Sequence, residues 1–283
     1  MTNNGIVLVN KPVGISSNAV VNIVKRVFGA KKCGHLGTLD LEGAGLLPVT
    51  VNNATRLFDY FLNKDKTYET VFVFGIETDT YDTSGQILKR KECDIQVEEV
   101  ERAIKTMIGK QLQMPPIYSA KKVGGKVAYK EARKGVVLEL KPKEIEIFDF
   151  KVLEKLDKNV FRFEISCSSG TYIRSIAHDL AEKMSTYGSM QCILRTRCGG
   201  FFLKDAFDLD DIKSGKFNII DCQDVFEYKS LYLDKKQTEK ILNGQTIKID
   251  SHESGIFKLF DDNLFLGLGE IKDNNLRFKL RLV

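Results

Sequence analysis

Residues 161–184 read FRFEISCSSGTYIRSIAHDLAEKM, and two different periods meet inside them. In the first half Phe161, Phe163, Ile165 and Cys167 alternate with Arg162, Glu164 and Ser166, the period of two that turns one side of a strand toward a core. Beyond the SSGTY loop, Ile173, Ile176, Ala177, Leu180 and Met184 recur at helical spacing. Working outward, the same two periods return without a regular βαβ alternation. GIVLVN (5–10) is a short buried strand, Ser16 or Ser17 caps a helix running to about Phe28, and Gly29 stops it. Residues 68–75 alternate as a strand, DTYDTSG (79–85) is turn chemistry, and 97–108 form an amphipathic helix. The mixture predicts an α+β fold with a mixed, largely antiparallel sheet flanked by helices. Composition shifts after about Phe226. LYLDKKQTEKILNGQTI (231–247) and its successors read as short strands broken by Asn, Asp and Gly. Residues 1–228 are therefore expected to form one large unit and 229–283 a small β-rich module.

A hydrophobic content of 43% with 29% charged residues describes an ordinary globular chain and excludes a disordered one. No stretch approaches the ~18 apolar residues of a membrane span, and MTNNGIVLVNKP lacks a basic leader, so a cytoplasmic protein is expected. The six cysteines form no C-x-x-C pair and the three histidines are dispersed, so free thiols and no metal centre are expected. Motifs for phosphate-cradling loops, serine hydrolases and zinc proteases are absent. The net charge of +5 is mild, but its distribution is uneven. KKVGGKVAYKEARK (121–134) holds Lys121, Lys122, Lys126, Lys130, Arg133 and Lys134 against the single acid Glu131, a pattern suited to releasing counterions from a phosphate backbone.

Three residues stand beside glycine- or lysine-rich turns. Asp40 closes the run GHLGTLD (34–40), where it either caps a turn or serves as a reactive carboxylate. Arg174 falls in the first turn of a helix, where the dipole disfavours a cation, so it is either a plain surface arginine or one kept for a partner. Tyr68 opens a strand, either as core packing or as a platform on which a base could stack.

Taken together, VNKPVGISS (9–17), GHLGTLDLEGAGLLPV (34–49), DKTYET (65–70), MPPIYSAKKVGGKVAYKEARKG (114–135), CSSGTYIRSIAHDL (167–180) and LRTRCGGF (194–201) resemble, in order, the motifs of the tRNA pseudouridine synthase B family. The chain departs from that pattern in the loop around Asp40. Leu36 replaces a polar residue, and Leu41-Glu42-Gly43 replaces a run that contains proline. The resemblance implies a pseudouridine-synthase-like fold with a small PUA-like, RNA-binding C-terminal module. It also implies an isomerase that flips uridine 55 of the tRNA T-arm loop and converts it to pseudouridine.

In that reading Asp40 is the nucleophile or base, Arg174 pairs with it, and Tyr68 stacks on the uracil and could assist proton removal at C5. His35 supports the opened RNA loop, and Lys11, which is also expected to contact the RNA, shapes with Pro12 the wall near Tyr68. An insertion at about 110–145, carrying Lys121, Lys122, Lys126, Lys130 and Arg133, clasps the RNA. An isomerisation needs no cofactor or metal. The resemblance further implies a monomer that acts on tRNA without a guide RNA. A non-catalytic RNA-binding or RNA-remodelling protein and a guide-RNA-dependent synthase for ribosomal RNA are the alternatives.

Overall fold

The computed structural model describes residues 4–118, 122–127, 131, 136, 138–250 and 253–283. Its strands are β1 (Gly5–Lys11), β2 (Cys33–His35), β3 (Gly43–Val51), β4 (Lys66–Phe74), β5 (Ile76–Thr78), β6 (Ile87–Arg90), β7 (Gly109–Gln113), the short pair β8 (Lys122–Val123) and β9 (Lys126–Val127), β10 (Lys143–Asp157), β11 (Val160–Cys167), β12 (Gly188–Cys198), β13 (Phe201–Phe202), β14 (Phe207–Asp208) and β15 (Ile220–Asp221). Helices α1 (Ser17–Val27), α2 (Phe58–Leu62), α3 (Val97–Lys105), α4 (Ile173–Lys183) and α5 (Leu209–Lys213) interleave with them.

A single mixed sheet organises the larger unit in the order β14-β1-β3-β12-β4-β11-β10-β7. Only the β1–β14 and β12–β3 pairings along this path are parallel, so the sheet is largely antiparallel, as the element pattern predicts. The unbroken apolar run of β1 now has a cause, because both of its faces are covered. Val7 and Val9 join Val20, Val24, Ile104, Ile176 and Leu180 in a core between sheet and helices. Ile6 and Leu8 point the other way, into a second core with Leu46, Leu57, Phe61 and Phe201. Full burial of such side chains contributes roughly 1.5–3 kcal/mol each. Ser16 caps α1, its side chain accepting the Ala19 N–H.

The C-terminal residues build their own five-stranded sheet from β16 (Ser230–Leu233), β17 (Ile247–Lys248), β18 (Gly255–Asp261), β19 (Leu264–Lys272) and β20 (Asn275–Arg281). One expectation fails here. The stretch read as broken strands contains helix α6 (Lys235–Leu242), begun by a reciprocal capping box between Asp234 and Gln237. Its Thr238 and Ile241 are buried, Ile241 within the sheet's own core, so two inward side chains one turn apart outweigh the polar composition. Leu268 and Leu282 leave this sheet to enter the second core of the larger unit. Tyr60, Phe226 and Phe265 form an aromatic seam across the junction, with ring centroids 4.9 and 6.3 Å apart. Among the described residues no helix is long and apolar enough to cross a membrane.

Candidate active site

The connection from β2 to β3 carries Asp40, and the N-terminal motif holds that connection in place. Lys11 is fully buried, and its ammonium donates to the carbonyls of Pro12, Ile15 and, at 3.4 Å, Leu41. Gly14 N–H donates to the same Leu41 carbonyl at 2.9 Å. Ser17 Oγ donates to Leu39 O at 2.8 Å and accepts Leu39 N–H at 2.9 Å, so one hydroxyl satisfies both backbone groups of the residue before Asp40. The departures at Leu36 and Leu41 are absorbed without loss of this frame. Leu36 packs into the second core while its N–H donates to Pro48 O, and Leu41 contributes only its carbonyl.

Arg174 begins α4, and the helix entry is fixed by Gln113, whose side chain exchanges two hydrogen bonds with the Tyr172 backbone. From there the guanidinium reaches Asp40 Oδ2 at 2.8 Å and Asp82 Oδ2 at 3.4 Å, and it donates to Thr80 O and Tyr118 O. The expected partner of this awkwardly placed cation is therefore a pair of carboxylates. The sequence marks Asp82 only as turn chemistry. It does fold the turn, with Oδ1 accepting from Thr80, from Ser84 N–H and from the Ser84 hydroxyl, and its other oxygen serves Arg174.

Asp40, Tyr68 and Arg174 line one cavity of about 540 Å³, together with Lys66, Thr171, Tyr172, Ile193 and Arg195. Asp40 keeps 59% of its side chain exposed, whereas Tyr68 is only 8% exposed. Burial pushes the Tyr68 phenol well above its usual pKa, partly opposed by Arg195, so the ring meets a ligand in its neutral form.

Arg195 is a further site residue, with Asp82 and Lys66, that sequence reasoning missed. It pairs across strands with Tyr68 and, on its other side, with Gly45. Gly45 has φ +99°, and a Cβ there would lie 2.5 Å from Arg195 O, so only glycine lets β3 approach β12 this closely. The Arg195 guanidinium is buried and donates to the carbonyls of Leu46, Gly37 and Thr38 at 2.8, 3.0 and 3.5 Å.

Other expected residues fall differently. Lys11 does not face a ligand: its burial and its carbonyl partners make it a strut beneath the loop, a correction to its expected RNA contact. Burial, with Arg195 nearby, lowers the His35 pKa, and its Nδ1 is buried without a hydrogen-bond partner among the described residues. Lys121, Lys130 and Arg133 lie outside the described residues. Lys122 and Lys126 sit on β8 and β9, but their side chains lie outside the description.

Comparison with known proteins adds three findings. Residues 25–173 match the family model described as TruB family pseudouridylate synthase (N terminal domain), and residues 230–282 match pseudouridine synthase II TruB, C-terminal. The chain is 34% identical to proteins named tRNA pseudouridine synthase B from Caldanaerobacter subterraneus, covering 99% of both chains, and from Aquifex aeolicus, covering 99% of this chain and 100% of the relative. Among solved structures it resembles a chain of an H/ACA RNP bound to a substrate RNA containing 2'-deoxyuridine. That match has a TM-score of 0.71 at 18% identity and covers 99% of this chain and 85% of the other, a likeness of fold.

Proposed function

The chain belongs to the TruB family of pseudouridylate synthases, and from that premise we propose that it isomerises uridine 55 in the T-arm loop of tRNA to pseudouridine, with Asp40 as the nucleophile. The observation that carries the reading is the Asp40–Arg174 ion pair opening onto the same cavity as Tyr68. The reaction breaks the C1′–N1 bond, turns the detached uracil and rejoins it through C5, so the base must first leave the RNA stack. An ionised carboxylate beside the ribose attacks C1′ or removes a ribose proton, and Arg174 favours its charged form and holds one geometry. Tyr68 offers a flat, neutral face against which the uracil can turn.

The near full-length relatives named for tRNA support tRNA as substrate without a guide RNA; that the chain acts as a monomer in the cytoplasm is part of the same proposal. We take residues 1–228 as the catalytic unit, the segment at about 110–145 as the RNA clasp, and 229–283 as the PUA-like RNA-binding module. The separate core and sheet of the C-terminal residues support that division.

The test is an unmodified tRNA transcript carrying tritium at uridine C5. The wild-type chain should release label without added RNA, and Asp40→Asn should lose at least about a thousandfold in rate. Binding of the transcript without label release would favour the non-catalytic reading, and release that required a guide RNA would favour the guide-dependent one.

A further inference from the structure

Two cations of the cavity wall have no part in the chemistry above. Lys66 and Tyr68 are two residues apart on β4 and face the same side of the sheet, and Arg195 lies across from Tyr68 on β12. Lys66 is 7% exposed and Arg195 1%. Their side chains converge: a Cβ placed on Gly37 would lie 3.6 Å from Arg195 Nη1 and 3.8 Å from Lys66 Cε. Neither has a carboxylate partner among the described residues, whereas Arg174 has two. Arg195 is committed to backbone carbonyls of the Asp40 loop and of β3. The Lys66 ammonium makes one hydrogen bond among the described residues, to Lys64 O, which leaves two of its three donors for a ligand. Burial, with Arg195 beside it, pushes the Lys66 pKa below the usual lysine value. A buried cation without a counter-ion is costly to keep, and an anion arriving in the cavity would stabilise it.

The reaction supplies such an anion. When C1′–N1 breaks, its electron pair passes into the uracil ring while the Asp40 carboxylate bonds to C1′. After the base turns, the ring returns the pair through C5 to C1′, Asp40 departs with its bonding pair, the C5 proton is released to solvent, and N1 takes up a proton from solvent, so the product is neutral. Between these steps the uracil carries a negative charge spread over its ring nitrogen and carbonyl oxygens. We propose that the Lys66 ammonium, oriented beside Arg195, is a further catalytic group that hydrogen-bonds this detached uracil anion and holds its charge during rotation. The inference rests on the pseudouridine synthase reading. Lys66 keeps its proton throughout and acts by fixed charge from a buried position, where such stabilisation is larger than in water. A backbone phosphate would have to reach two side chains that are almost fully buried, so a flat base is the better occupant.

The test compares wild type, Lys66→Met and Lys66→Arg in the full chain under single-turnover conditions with saturating tRNA transcript. Lys66→Met should slow pseudouridine formation about a hundredfold with tRNA affinity within about twofold, and Lys66→Arg should restore most of the rate. A transcript with 5-fluorouridine at the target separates electrostatics from shape, because fluorine stabilises the released anion by itself. Scission of C1′–N1 in Lys66→Met should then fall by a much smaller factor. Equal deficits on both substrates, or a saturated rate within threefold of wild type with weakened binding, would overturn the proposal in favour of a structural or phosphate-binding lysine. A wild-type chain that bound tRNA and made no pseudouridine would instead overturn the underlying reading.

Discussion

The two ends of the cavity hold positive charge in different ways. At one end Arg174 sits between the carboxylates of Asp40 and Asp82, so that charge is balanced before any RNA arrives. At the other end Lys66 and Arg195 are steadied by carbonyl oxygens. The paired end contributes stability and geometry together, whereas the unpaired end holds a charge that only an incoming anion balances. Truncation should therefore have opposite signatures. Arg174→Met orphans Asp82, whose side chain is 17% exposed, and should lower unfolding free energy by about 3 kcal/mol in urea as well as abolishing most activity. Lys66→Met removes a buried cation and leaves a single carbonyl, so its stability should stay within about 1 kcal/mol of wild type while its rate collapses. Equal stability losses in the two variants would erase the distinction.

That asymmetry also explains what the sequence disclosed. Arg174 was legible because a cation in the first helical turn conflicts with the dipole, and the conflict pointed to a partner. Arg195 was not, because its partners at Leu46, Gly37 and Thr38 are backbone carbonyls, which leave no mark on residue identity. Asp82 was hidden in plain sight: a turn explains it fully, and only tertiary structure brings its second oxygen to Arg174, 92 residues away. The fold followed the same division. Strands such as 161–167 and the α1 cap were readable from period and capping, whereas α6 was masked by its polar surface despite the Asp234–Gln237 signature. The RNA contact expected of Lys11 came from the resemblance alone, and only the fold shows three carbonyls closing around its ammonium.

Ser17 bears on the comparison because the loop it clamps serves both ends: Gly37 and Thr38 accept from Arg195, and Asp40 follows Leu39 directly. Ser17→Ala leaves the Leu39 N–H and C=O without their shared partner and should lower stability by about 1–3 kcal/mol. The rate should fall about tenfold with tRNA affinity unchanged, since Asp40 is displaced and no phosphate contact is touched. A rate loss without any stability loss would mean that the hydroxyl acts otherwise than through the loop.

The smallest expected effect lies on α4 itself, which carries a paired cation at its start and, five residues further on, the carboxylate of Asp179, which has no ion-pair partner among the described residues. Burial raises the Asp179 carboxyl pKa to about 7, Glu182 adds to the shift, and Lys183 opposes it. His178, beside it, stacks on Tyr81 at 4.3 Å, and that tyrosine lies between Thr80 and Asp82, two of the residues that contact Arg174. The sign follows from the raised value. Between pH about 4 and 7 the folded chain retains a proton that the unfolded chain has lost, so stability from this group falls as pH rises and levels off above 7. Asp179→Asn removes that dependence. Allowing for screening of a partly exposed group, the variant should gain about 1–2 kcal/mol over wild type at pH 8 and progressively less toward pH 5, read from paired urea titrations. Parallel curves across that range would place the carboxylate in contact with solvent or a cation, and would return α4 to a helix whose charges are all balanced.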